Sequence, residues 1–264
     1  MAVEPKLTTP SPLLSRTPCT YKVVLAYDGA AFHGVIRQPG LRTVGEEFQR
    51  ALEDAAGQRA VALCYAARTD TGVHALGQVA SFRLGEPVPV HDLLPRVRAR
   101  LPPDIRLRGA EEVPRSFHAR ASAVEKLYRY RFARGAVPPG VARRAWVVAP
   151  ALDLGVMAQL ARGLTGTHDF TALSHPRSSG GTVKTVRCIR LRRRATAWGE
   201  VILVDVVGDG FLRQMVRRMA ATLALCGSGW FPVEHVLSTL AGAQRRGLGP
   251  AAPPQGLTLV RVTY

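Results

Sequence analysis

The sequence predicts an α+β fold of two β-α-β-β-α-β halves, whose antiparallel sheets join and leave a central cleft. Three observations predict it. Strand-like and helix-like hydrophobic patterns follow one another in the same order twice along the chain. No stretch of sequence repeats, so the duplication is one of pattern alone. The length, 264 residues, suffices for two small halves with cores of their own. Each half then has the split ferredoxin-like order, over 21–119 and 120–264. Residues 1–20, rich in Pro, Ser and Thr, read as a disordered leader. They lack the apolar stretch of a secretory signal.

In the first half, YKVVLAYD (21–28) is a strand by its β-branched and aromatic content. Thr43 and Glu46 form an S/T-x-x-E capping box, and Val44, Phe48, Ala51, Leu52 and Ala55 give the following helix one apolar stripe. Strands are expected at AVALCYA (60–66) and GQVASFR (77–83). VHDLLPRVRARL (90–101) reads as helix, restricted to short pieces by Pro95, and IRLRGAEEV (105–113) as the closing strand. The second half opens with VEKLYRYRFA (124–133), followed by a helix at 152–164 and strands at 186–195 and 200–208. FLRQMVRRMAATLALC (211–226) has the strongest helical pattern and is stopped by Gly227. A further helix near VEHVLSTLAG and a last strand, GLTLVRVTY, finish the chain.

Charge narrows the function. Lys and Arg number 36 against 19 Asp and Glu, a net +17, and only four of the cations are lysines. Such a surface attracts polyanions. No basic amphipathic helix favours a membrane surface and no apolar run would span a bilayer, which leaves nucleic acid as the expected partner. Cysteines at 19, 64, 188 and 226 form no CxxC pair, and His74, His168 and His175 stand at no metal-ligand spacing. The thiols read as reduced and cytosolic. Redox and hydride chemistry have no motif here.

Three constellations could carry chemistry. ARTDTGVHALGQVASF (67–82) gathers Arg68, Asp70, Gly72 and His74 between two strands. An arginine within a few ångströms would favour an ionised Asp70, fit to act as nucleophile or to stabilise an oxocarbenium-like centre. The bland alternative is a turn in which Asp70 bonds backbone amides and Gly72 supplies a positive φ. In KLYRYRF (126–132), alternation puts Leu127, Arg129 and Arg131 on one face and Tyr128, Tyr130 and Phe132 on the other. A tyrosine at the cleft could stack on a flipped base or move a proton, and the arginine face suits phosphate. In the 211–226 helix, Arg213 and Arg217 lie at i and i+4 with no acid within a turn, so they must reach other elements, solvent or phosphate. The stretch 174–185 is a flexible basic loop, either a linker or an RNA-contacting flap.

The chain is similar to a known family at these residues. ARTDTGVHALGQV resembles the G-R-T-D-x-G-V-H-A-x-G-Q-V motif of the tRNA pseudouridine synthases that act on the anticodon stem-loop. YDGAAFHG, LPPDIRL, FHARASA, KLYRYRF, THDFTAL, GFLRQMVRRMAATL and GLTLVRVTY follow in the family's order. The resemblance covers about residues 21–264. It implies isomerisation of uridine to pseudouridine at tRNA positions 38, 39 and/or 40, with Asp70 as nucleophile, attacking C1′ or C6 or promoting a glycal. Tyr128 matches the tyrosine of base stacking and proton transfer, and Arg217 the ion-pair partner of the aspartate. Arg68 matches the arginine that holds the target nucleotide out of its stack. His74, Arg129 and Arg213 are further expected substrate contacts. The resemblance also implies two ferredoxin-like halves, a cytoplasmic homodimer gripping tRNA, and no cofactor, metal or membrane. Ala67 replaces the usual glycine, Thr71 the common alanine, Val35 and Ile36 a tryptophan–glutamine pair, Leu173 a phenylalanine and Ala221 a glycine; none removes a reacting group. A non-catalytic basic RNA-binding or RNA-folding protein is the alternative. A carboxylate-dependent hydrolase would need a second acid that the loop lacks.

Overall fold

The structure is a computed structural model that describes residues 20–176, 181–242 and 248–264. The proposed leader, apart from Thr20, and residues 177–180 of the basic loop lie outside the described residues. Strand β1 (Thr20–Tyr27) buries Tyr21, Val23, Leu25 and Tyr27, one face of its alternation. Helix α1 (Val44–Ala56) starts where the capping box placed it: Thr43 Oγ1 accepts from Glu46 N–H at 3.2 Å. Its stripe of Val44, Phe48, Leu52 and Ala55 is buried. Strands β2 (Ala60–Tyr65) and β3 (His74–Leu84) follow. Helix α2 (Val90–Arg98) runs unbroken through Pro95, where short pieces were expected. Strand β4 (Ile105–Val113) ends the half.

The second half contains β5 (Glu125–Gly135), the one-turn α3 (Pro139–Ala142), the two-residue β6 (Trp146–Val147), α4 (Leu154–Leu164), β7 (Gly166–Asp169), β8 (Val183–Thr196) and β9 (Gly199–Gly208). Then come α5 (Met215–Gly227), α6 (Val233–Ala241) and β10 (Leu257–Thr263). Strands β6 and β7 are too short to leave a periodic trace. Helix α5 begins four residues later than its pattern suggested, because Gln214 takes a left-handed φ of 60° that no helix continues through. Phe211, Leu212 and Arg213 therefore form an approach to the helix.

The main path of the sheet is β4-β1-β3-β10-β5-β9-β8-β7, with β2 paired to β3 and β6 to β5. Around β3 the order in the first half is β4-β1-β3-β2, and in the second it is β10-β5-β9-β8, all antiparallel. The halves join where β10 runs parallel to the start of β3, through Thr258 opposite His74 and Leu259 opposite Ala75. Further along the same edge of β3, Cys64 and Tyr65 of β2 pair with Ser81 and Ala80. Strands β10 and β2 thus share one edge, and a gap separates them. The side chain of Gln78 fills it, accepting from Ala67 N–H at 3.2 Å and donating to Ala67 C=O at 2.8 Å. A fully buried amide thereby continues the ladder that the strands interrupt. The loop 66–73 emerges from this fork. No helix among the described residues is long and apolar enough to cross a membrane.

Candidate active site

The loop between β2 and β3 is braced from beneath. Thr69, buried, shares a 2.8 Å hydrogen bond with Tyr27 Oη, and Val35 N–H donates to Thr69 C=O at 3.3 Å. Gly34 has a φ of +88°, and a Cβ there would stand 2.6 Å from Thr69 O, so the 32–35 segment can lie this close only with glycine. Gly72 supplies the left-handed turn expected of it, at φ +77°. Val73 N–H donates to Asp70 C=O at 3.2 Å. Asp70 is fixed at its backbone and its carboxylate points away from the brace.

That carboxylate meets the helix of the other half. Arg217 Nη1 donates to Asp70 Oδ2 at 3.1 Å, across 147 residues of sequence, while Arg217 Nε donates to Ala252 C=O at 2.8 Å. The Arg217 side chain is 12% exposed and that of Asp70 25%. The guanidinium is thus anchored at one end and presents the other to the acid. The turn alternative, with Asp70 on nearby amides, is not what the structure places here. Arg68, the neighbour in sequence, stands exposed at the rim and forms no ion pair with Asp70.

Both residues line a cleft of about 900 Å³ between the halves. Tyr128, on the buried face of β5, forms part of its wall, with Phe211 set edge-on to it at 5.3 Å between ring centroids and 90° between planes. Burial raises the Tyr128 hydroxyl well above the ordinary tyrosine range, and the charge of Asp70 adds to the shift. Arg68 and Arg213 also reach the cleft.

The structure does not bring His74 and Arg129 there. His74, buried, has Nδ1 3.1 Å from both Gly29 N and Asp28 Oδ1, in the support beneath the loop. Desolvation lowers its pKa despite the nearby Asp28. Arg129 lies on the face of β5 opposite Tyr128, as alternation demands, and grips Asp205 at 2.6 and 2.8 Å. Its fork is occupied by a nearly buried carboxylate, which Arg192 also contacts at 2.5 Å.

Comparison with known proteins bears on what this cleft is. The family model described as "tRNA pseudouridine synthase" matches residues 160–264. The protein named tRNA pseudouridine synthase A from Syntrophotalea carbinolica is 41% identical over 244 residues, covering 92% of this chain and 95% of that protein. Those of the same name from Geotalea daltonii and Geobacter sulfurreducens are 37% and 38% identical, covering 92% and 93% of this chain and 98% and 99% of theirs. The chain belongs to the tRNA pseudouridine synthase family.

Within that family frame, four of the six departures in sequence are buried, while Thr71 and Ile36 are exposed. Ala67 is buried without a positive φ, so glycine is not required for its backbone. Val35, Leu173 and Ala221 are core residues. Further residues line the cleft beyond those expected, Phe211 and Lys126 among them. Phe211 falls within the expected 211–226 helix, but the late start of α5 leaves it before the helix and edge-on to Tyr128. Lys126 lies on the cleft face of β5, where alternation two residues from Tyr128 places it. Among the described residues no group of three or more His, Cys, Asp or Glu could hold a metal.

Proposed function

We propose that this chain isomerises uridine to pseudouridine at positions 38, 39 and/or 40 of tRNA, with the Asp70 carboxylate as the nucleophile. The observation supporting it is the Asp70–Arg217 pair, drawn from the two halves and set in a cleft beside an aromatic wall. The reaction breaks the N1–C1′ bond, turns the uracil over and joins C5 to C1′; C5 gives up a proton and N1 gains one. There is no net redox change, so the chemistry calls for a carboxylate, a group to manage protons and a site that excludes water. Asp70 supplies the electron pair at the nucleoside. Arg217 fixes the carboxylate and offsets its charge when bound RNA displaces water. Tyr128 holds the freed ring by stacking, and its neutral hydroxyl lies near the reacting atoms. Arg68, at the rim, helps keep the nucleotide extruded, and stacking offsets an unstacking cost of a few kcal/mol.

The same proposal includes two ferredoxin-like halves over 21–119 and 120–264, which the strand orders β4-β1-β3-β2 and β10-β5-β9-β8 support. A homodimer gripping tRNA in the cytoplasm rests on the family resemblance. Mapping pseudouridine in bulk tRNA from cells with and without the protein tests the reaction and its positions. Asp70→Asn should abolish isomerisation while tRNA affinity stays within several-fold; substantial turnover by that variant refutes the nucleophile.

A further inference from the structure

The cleft has a second charged feature that the reaction does not use. Where β5 enters it, three cations from three separate segments line the wall: Arg120 before β5, Lys126 within it, and Lys184 on β8. Among the described residues, none of the three has a hydrogen-bonded or ion-paired carboxylate partner. Asp209 is the nearby acid, and its Oδ1 accepts from Thr185 N–H at 3.2 Å. Cations left facing one another around a cavity are at cross purposes unless an anion from outside joins them. Burial and then the field of Arg120, with Lys184 adding and Asp209 opposing, lowers the pKa of Lys126, so the ammonium lies close to like charges.

We infer that Arg120, Lys126 and Lys184 form a phosphodiester subsite, which holds the RNA backbone next to the nucleotide stacked on Tyr128. The geometry favours this over contact with the base. Lys126 and Tyr128 share one face of β5 two residues apart, about 7 Å along the strand, so the ammonium lies beside the stacked ring, within reach of the strand that carries it. Three point charges from separate elements suit the two non-bridging oxygens of a monoanionic phosphodiester better than a single carbonyl. This assignment rests on the proposed reading of the cleft as the site that receives an extruded nucleotide.

The test is made in the Asp70→Asn background, which binds without turning over, so its result does not depend on the nucleophile. Affinity for unmodified tRNA is measured across a range of salt concentrations, with and without Lys126→Gln. A phosphate contact predicts several-fold weaker binding and a slope of log K against log salt that is smaller by about one. Lys126→Arg should restore both, and Lys184→Gln should repeat the loss. An unchanged slope in Lys126→Gln and Lys184→Gln overturns the subsite. Separately, wild-type protein that makes no pseudouridine would sink the proposed reaction and leave the slope measurement standing.

Discussion

Replacing Arg217 by methionine removes the guanidinium and keeps much of the aliphatic stem in the α5 wall. Two contacts vanish: the 3.1 Å bond to Asp70 Oδ2 and the 2.8 Å bond to Ala252 C=O. With charge centres roughly 4 Å apart, an effective dielectric of about 20 gives a gross attraction of about 4 kcal/mol. Asp70 retains a quarter of its exposure, so water screens about half of this in the free protein, leaving about 2 kcal/mol. Once RNA covers the cleft that water is gone, and the carboxylate has lost its counter-charge during the reaction. The expected outcome is a fall in kcat of about 30-fold or more. The lost bond to Ala252 frees the segment leading into β10, and a charge-assisted bond of this kind contributes about 1.5–3 kcal/mol. Melting should therefore drop by about 5 °C. Release of tritium from tRNA labelled at uridine C5 reads the rate, since that hydrogen leaves when C5 joins C1′; scanning calorimetry reads stability. Arg217→Lys keeps the charge and should recover part of the rate. A methionine variant with wild-type kcat and only a lower melting point would show that the guanidinium is a strut, and the electrostatic argument would fail.

Three further outcomes are expected. Tyr128→Phe should slow the reaction severely while leaving the fold intact, because the ring still packs on Phe211; an unaffected rate would reduce the hydroxyl to a spectator. Since burial and then neighbouring charge raise that hydroxyl's pKa, it stays protonated from about pH 6 to 9, and the wild-type pH–rate profile should show no limb from its ionisation. Asp205→Ala strands Arg129 and Arg192 on the opposite face of the sheet. Both arginines keep some solvent, so a loss of about 3 kcal/mol is expected, seen as a lower denaturation midpoint with kcat near wild type at low temperature. A fall in kcat without a stability change would mean that this face communicates with the cleft.

Much of the site is local in origin and so was open to reading from the chain. A strand's period of two put Tyr128 and Arg129 on opposite faces before any fold was known. The same rule puts Lys126 on the Tyr128 face. Gly72 beside Asp70 marked a turn of left-handed backbone, and it is one. Helix α1 opened at Thr43 because the cap is a bond between residues three apart. Helix α5 starts later than its pattern because apolar spacing over 211–226 continues through Gln214, whose left-handed φ leaves no mark in periodicity.

By itself, the sequence determined the order of the longer strands and helices, the excess of positive charge, and the loop and strand that hold Asp70 and Tyr128. Propensity, capping and alternation act within a few residues, so each can be read in place. Only the tertiary structure decided which cation meets Asp70. Arg68 is two residues away and turns to solvent, while Arg217 is 147 residues away and forms the bond. It likewise decided that Arg129 is held by Asp205 and that β2 and β10 part around Gln78. Such pairings depend on how the two halves dock, and that is settled by burial of shared apolar surface, to which a charged side chain's position along the chain is no guide.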